Sequence, residues 1–580
     1  MADEFEVARM TVTRSLLDVL YSVFEFTSRV LGFHQWMWPP AILLCGSAVG
    51  WTAIFSGIAR LQSLMKIWGA IEAAGLVWFY CWLMPNRLQP RTVPDPAHHP
   101  PKALLEKFLE SLDDLCRHEG DSYIDNFIRG WFGDDAAREC LRRTDVRSFF
   151  AWAAFSCDPA DLGRTDAALL EGAVGDFGAR HSIELRDDAD PRAKACPPKR
   201  LTLEPMQCMW RPLFTYATIA LLRGITQIIL TAAGFVAHLD EPSGYKIWVR
   251  SRASVDRLEG TGFPEHEPAS HGKLPVVFFH GVSFGILPYL RLLRRICSKR
   301  PCAIPEAPFI SMTLRFATDS GVGISGAIER LLDVQGWDKV VLGGHSFGSV
   351  HAWWVRRALG PSRIAGVALL DPIGPLLFDS KVCHRFVYQT PRKLLEWIVY
   401  YSARSEVGIA HFMRRHFWWY NIVIFPDEMP GVETLVGVST RDEIVPAVPM
   451  HRMLARVRDK ARERSPGAAE SPPLGGESSM ARLALFKWED QIHGGLLING
   501  PALTQVAGWM AAIDKAHYAG NGSHGHGNGH GNGHGHGHGH GNGYGYGNGL
   551  ASPTPTAAAA AGSRRSPRLR NLQQQRENGV

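Results

Sequence analysis

The stretch Val340-Val341-Leu342-Gly343-Gly344-His345-Ser346-Phe347-Gly348-Ser349 is an apolar run that enters a G-x-S-x-G turn. A serine hydroxyl is a weak nucleophile until a neighbouring base takes its proton, and a chain that uses one exposes it on a sharp, strained turn. Glycines at 344 and 348 suit that turn, because a side chain on either flank would clash where strand passes straight into helix. The next stretch, 349–359, reads as a helix whose positive end faces the turn, and the backbone N–H of Phe347 is free to bind an oxyanion. Ser346 is therefore the candidate nucleophile, with Gly344 and Gly348 supporting it. The pattern alone is common, and a glycine-rich β-turn that happens to contain serine would read the same way. Context decides between them.

A serine of this kind is presented by a sheet. Short apolar runs lie at 245–249, 275–279, 308–314, 339–342, 364–370, 434–438 and 482–488, most of them separated by helical patterns such as 326–334 and 353–359. Continuous apolar strands alternating with helices predict an α/β architecture: a mostly parallel sheet covered on both faces, with its site at the carboxyl ends of the strands. On these residues the stretch from about 243 to 515 resembles the α/β-hydrolase fold superfamily, and in particular its lipase- and esterase-like serine hydrolases with a G-H-S-F-G elbow.

The resemblance implies a set of roles in the chain order nucleophile, acid, histidine. The run PVVFFH ends in His280-Gly281-Val282-Ser283, similar to the family's H-G oxyanion loop. By that likeness Val282 offers a backbone N–H that joins Phe347's, and His280 and Gly281 are structural supports. Asp442, the aspartate of a D-x-I-V-P stretch that follows the strand 434–438, is similar to the family's acid. Asp371, directly after the strand 364–370, is its competitor, for which capping or lid anchoring is the other role. His493 lies between the last strand and the closing helix, where the family carries its base. There an imidazole would reach Ser346 while a carboxylate on its far nitrogen fixes the tautomer. No metal and no cofactor is implied.

Around this domain, 243–516, the chain divides further. Residues 1–38 are an amphipathic segment, and 39–85 contain two apolar runs, 40–59 and 67–84, each long enough for a bilayer core of about 30 Å. They read as a transmembrane hairpin, with a buried helix pair as the alternative. Residues 86–101 are proline-dense and predict a stiff linker leaving the membrane. Residues 102–242 are a helical region. Its last apolar run, 212–236, carries Arg223 and Gln227 mid-segment, which favours a helix packed on the domain or lying at a membrane surface over a span. An insertion at about 372–433 predicts an aromatic cap, suited equally to an acyl chain and to ordinary packing, and 460–480 a flexible insertion. Residues 517–580 are a disordered tail rich in Gly, His and Asn and then in basic residues. Its histidines could bind a divalent metal, but an unstructured tail with incidental metal affinity reads the same way, because the glycines between them preorganise nothing.

Composition narrows the function. The chain has 580 residues, 46% of them hydrophobic, so it is neither a small disulfide scaffold nor a disordered chain. Its net charge of +6 owes much to the basic tail, and no nucleic-acid motif accompanies it. Ten cysteines without C-x-x-C pairs read as free thiols in a reducing compartment. Basic residues at both ends of the hairpin place the catalytic domain on the cytoplasmic side. The expected function is a membrane-anchored serine hydrolase acting on a lipid or other hydrophobic ester. An acyltransferase with the same triad and a non-catalytic ligand-binding protein or scaffold are the alternatives. Protein partners and the organelle are unknown.

Overall fold

The computed structural model describes residues 59–120, 122–259, 272–316, 321–429, 431–463 and 483–522. The amphipathic segment 1–38, most of the first apolar run of the hairpin, most of the 460–480 insertion and most of the tail lie outside the described residues.

Eight strands form one sheet: β1 (Val236–Asp240), β2 (Tyr245–Arg250), β3 (Val276–Phe279), β4 (Cys302–Pro305), β5 (Val340–His345), β6 (Ile364–Leu370), β7 (Glu433–Ser439) and β8 (Leu483–Trp488). Their spatial order is β1-β2-β4-β3-β5-β6-β7-β8. β1 and β2 make an antiparallel hairpin, β2 lies antiparallel to β4, and every pairing from β4 across to β8 is parallel. The strands from β3 to β7 are almost wholly buried, which demands the near-continuous apolar runs seen in the sequence. Period-two alternation sends Val276 and Phe278 into the core on one face and Val277 and Phe279 into the core on the other. The architecture is that of the α/β-hydrolase fold.

Before the sheet come α1 (Ala59–Trp78), α2 (Pro101–Glu119), α3 (Ser122–Phe132), α4 (Arg143–Phe155), α5 (Arg164–Arg180) and α6 (Leu213–Ala232). The stripe Leu104, Leu105, Phe108, Leu109 and Leu112 on α2 is buried, as its period predicts. Phe108 packs edge-on to Phe378 and Trp419 of the cap, with ring centres 6.3 and 5.7 Å apart. The helical region, the cap and one face of the sheet therefore share one core.

Four expectations change. The run at 308–314 is not a strand: Pro308–Ile310 form a helical turn, because proline has no N–H for a ladder, and the strand is β4, too short to stand out in the sequence. The sheet begins at Val236, inside the stretch read as helical. α1 does not stop before Pro85 but widens into a π-helical segment, Phe79–Leu88, closed by a 2.9 Å bond from the Gln89 N–H to the Met84 carbonyl. The stretch after it is no free linker. Tyr420 donates to the Asp95 carbonyl at 2.7 Å, Asn421 accepts from the His98 N–H at 2.9 Å, and His99 Nε2 meets Glu428 Oε1 at 2.6 Å, so the prolines hold an extended strap against the cap.

Candidate active site

β5 ends at His345, and the chain turns directly into α7 (Gly348–Arg363). Between them Ser346 has φ +54°, a left-handed conformation that costs a non-glycine residue of order 1–3 kcal/mol. The turn persists because its neighbours leave no alternative. A Cβ on Gly344 would strike the Gly348 backbone, and one on Gly348 would strike the Phe279 carbonyl. A Cβ on Gly281 would come within 2.7 Å of the His345 carbonyl oxygen and 2.8 Å of Ser346 Cβ, so the loop after β3 lies hard against the elbow.

Three loops at the carboxyl ends of β5, β7 and β8 converge. His493 Nε2 stands 2.9 Å from Ser346 Oγ, and His493 Nδ1 stands 2.6 Å from Asp442 Oδ2. The other oxygen of Asp442 accepts from the N–H groups of Ile444 and Val445, each at 2.7 Å, which fixes the carboxylate's orientation. The Arg441 N–H donates to the Gln491 carbonyl at 2.8 Å, tying the acid loop to the base loop. All three side chains are buried. The N–H groups of Val282 and Phe347 donate to no acceptor among the described residues, and both residues line the cavity over Ser346. That pair of unspent donors beside the hydroxyl is the arrangement an oxyanion requires.

His280 is no second base. Its Nε2 accepts from the Ala307 N–H at 3.1 Å, so Nδ1 carries the proton and donates to the Gly281 carbonyl at 2.9 Å. Burial holds its pKa down to about 4, keeping the ring neutral. Among the described residues Asp371 makes no hydrogen bond to the cap. It is fully buried with φ +42°, and its carboxylate accepts from the Ser439 N–H at 2.8 Å, the Ser439 hydroxyl at 3.0 Å and the Gly494 N–H at 2.8 Å. It clamps the loop that carries His493. Next to it the Gly281 N–H donates to the Tyr289 hydroxyl at 2.8 Å, and that hydroxyl stands 3.0 Å from His345 Nδ1. His345 Nε2 is left 3.8 Å from Asp371.

The electrostatics favour a charged base. Burial alone would lower the His493 pKa, but Asp442, then Asp371 and Glu443, outweigh it and raise the value to about 9. A general base works in its neutral form, so with His493 in that role kcat/KM for an uncharged ester would climb about tenfold per pH unit toward a midpoint near 9. The stability that the imidazolium contributes is fully present below the unfolded value of about 6.5 and lost as pH rises toward 9. A pH–rate profile already flat at pH 7 would contradict the raised value.

The cavity over Ser346 is lined by apolar groups. Of the cap's aromatic residues, Phe386, Phe417 and Trp419 reach it, while Phe378, Tyr420 and Phe425 pack in the core. Trp152 and Leu201 complete the wall from the helical region, a contribution that no motif in the sequence signals. Asp371, Asp442 and His493 offer atoms within 4.8 Å of one another, a spacing that would suit a metal ion. The Asp442–His493 hydrogen bond occupies Nδ1, however, and the Gly494 N–H occupies Asp371 Oδ2, so the donor set fits a triad better.

No family model and no curated protein sequence matches the chain. Among solved structures it is similar to a membrane phospholipase A described as a bacterial virulence factor, with 14% identity over 52% of this chain and 94% of that one and a TM-score of 0.34. It is also similar to a thermophilic esterase from Thermogutta terrifontis, with 15% identity, 48% and 99% coverage and a TM-score of 0.32. A haloalkane dehalogenase variant from Bradyrhizobium elkanii matches with 12% identity, 48% and 96% coverage and a TM-score of 0.30. The chemistry is read from the site's own side chains.

Proposed function

We propose that the chain is a membrane-associated serine hydrolase that cleaves the carboxylic ester of a hydrophobic substrate, such as a glycerolipid or lysolipid. The observation that carries this reading is the continuous relay Ser346 Oγ, His493, Asp442, with contacts of 2.9 and 2.6 Å, beside two unspent backbone donors. His493 Nε2 takes the hydroxyl proton as Oγ attacks the ester carbonyl, and Val282 and Phe347 hold the oxyanion. The proton then passes from His493 to the leaving alcohol, and water, activated the same way, releases the acid and regenerates the serine. Apolar walls suit an acyl chain and keep bulk water from the acyl-enzyme. Covalent labelling of Ser346 by a fluorophosphonate tests the assignment.

Membrane association rests on two helical stretches. Lys66–Leu88 spans 23 residues with little of its apolar surface covered, and Trp68, Ile71, Val77 and Trp78 are all over 40% exposed. α6 has two faces. Ile219 and Leu230 are buried, and Arg223 binds Glu306 at 2.7 Å, whereas Leu221 and Ile228 are 64% and 69% exposed. A helix braced along its length to the domain suits a bilayer surface better than a crossing. The two helices meet where the Leu213 N–H donates to Glu72 at 2.6 Å and the ring of Phe79 lies 5.2 Å from that of Trp210. With residues 1–58 removed, the protein is expected still to float with liposomes. Changing Trp68, Ile71, Val77 and Ile228 together to serine should then weaken partitioning by at least about tenfold. Unchanged flotation of that variant would sink this part of the reading. Removing residues 1–90 instead would strip Phe79, Leu83 and Leu88 from the core they share with Met206 and Trp210.

A further inference from the structure

The apolar cavity has cationic neighbours. Leu201, Cys383, Phe386 and Met413 line it, and within two residues of them in sequence stand Lys199, His384, Arg385 and Arg414. Lys199 and Arg414 meet over Tyr388. Lys199 Nζ lies 5.6 Å from the centre of its ring and the Arg414 guanidinium 5.2 Å. Lys199 Nζ is also 3.3 Å from His384 Nδ1. Arg404 reaches the same group, donating to the Gln389 carbonyl with its guanidinium 5.2 Å from the Tyr400 ring. Lys199, His384, Arg385 and Arg404 are all half-buried, whereas Ser346 lies deep.

Their charges are not balanced. Glu204 is taken by Arg414 at 2.7 Å and by the Tyr388 hydroxyl at 2.8 Å. Among the described residues no carboxylate comes within 4 Å of Lys199, Arg385 or Arg404; the hydrogen bonds of Lys199 end on the Gly130 carbonyl and His384, and that of Arg404 on the Gln389 carbonyl. Burial pushes the pKa values of Lys199, His384 and Arg404 below their ordinary values, and the Lys199 charge adds to this at His384, while the Asp134 carboxylate pulls Lys199 and His384 the other way. Partly desolvated like charges repel, so an anion that joined them would relieve the group.

We propose that Lys199, His384, Arg385 and Arg404 form an anion subsite at the rim of the acyl cavity, taking the phosphate of an amphiphilic ester whose carbonyl lies at Ser346. The inference rests on the hydrolase reading and specifies its substrate as a phosphate-bearing lipid. An ammonium, an imidazole and guanidinium forks arriving from different elements suit a tetrahedral anion with several acceptor oxygens, where a neutral headgroup would leave the charges unmet.

The test compares dihexanoyl phosphatidic acid with dihexanoylglycerol, both as monomers, on the full chain in detergent. Wild-type protein is expected to favour the phosphate lipid in kcat/KM by at least about tenfold. Lys199→Met and Arg404→Gln should each lower that preference about fivefold or more, mostly through KM, and Lys199→Arg should restore it. Inorganic phosphate separates two sources of the same chemistry. Competition with the phosphate lipid that Lys199→Met relieves marks a general phosphate site, and no competition with the preference intact marks a site for the lipid headgroup. Binding of the two lipids to Ser346→Ala protein, followed by tryptophan fluorescence, repeats the comparison without turnover. Equal affinity there, or a preference that both variants keep, overturns the subsite. Absence of fluorophosphonate labelling in protein that still prefers the phosphate lipid counts against the hydrolase reading alone.

Discussion

Ser346→Ala is expected to abolish the proposed ester cleavage, with kcat falling by roughly 10⁶ while the fold is kept. The size follows from what is lost. Without Oγ there is no acyl-enzyme, and His493 has no proton to take; only the donors at Val282 and Phe347 and the apolar walls remain, worth about 10³ to 10⁴ over water. The fold is kept because Ser346 Oγ bonds only to His493 among the described residues, and alanine occupies the φ +54° turn at much the same cost as serine. Initial rates on a p-nitrophenyl ester, with thermal unfolding as the control on folding, read this directly. A variant that keeps more than about one per cent of the rate, or still takes up the fluorophosphonate, would remove Ser346 as nucleophile.

The elbow was legible in the sequence because its constraints are local. Gly344 and Gly348 are steric necessities of a strand that becomes a helix within three residues, and both clash as expected once a Cβ is added. The parallel strands were legible because burial on both faces leaves no polar alternation. What was illegible is what depends on distant parts of the chain. β4 has only four residues and hides beside prolines. Trp152 and Leu201 reach the cavity because α4 and the segment after α5 fold over the cap, and nothing in their own spacing points to a serine far along the chain. The strap after α1 looked like a linker because prolines exclude a regular helix in either case, and only the hydrogen bonds to Tyr420, Asn421 and Glu428 tell a strap from a spacer. The two acids posed the hardest choice. Both Asp371 and Asp442 follow a strand, and their roles diverge only in three dimensions.

That divergence gives the second large effect. Asp442→Asn is expected to lower kcat by about 10⁴, because an amide at 2.6 Å from His493 Nδ1 can donate to it, leaving the proton on Nε2, where it faces Ser346 Oγ and cannot accept. It should also shift the acid limb of the pH–rate profile down from about 9, since the Asp442 charge is the largest force raising the His493 pKa. Asp371→Asn should act differently. It leaves the Asp442–His493 bond intact but sets an NH₂ against one or more of the three donors that now point at a carboxylate, a mismatch of about 1–3 kcal/mol in stability. The loop carrying His493 then loosens, and kcat falls by about ten- to a hundredfold through misplacement of the base. The acid limb should move less than in Asp442→Asn, because the Asp371 charge makes a smaller contribution. Measuring kcat and the acid limb for both variants separates an acid from a clamp: the acid variant loses far more rate and moves the acid limb further, and with the thermal midpoint read above pH 9, where the imidazolium no longer contributes, only the clamp variant is destabilised. If Asp371→Asn proved the slower enzyme at unchanged stability, the two assignments would have to be exchanged.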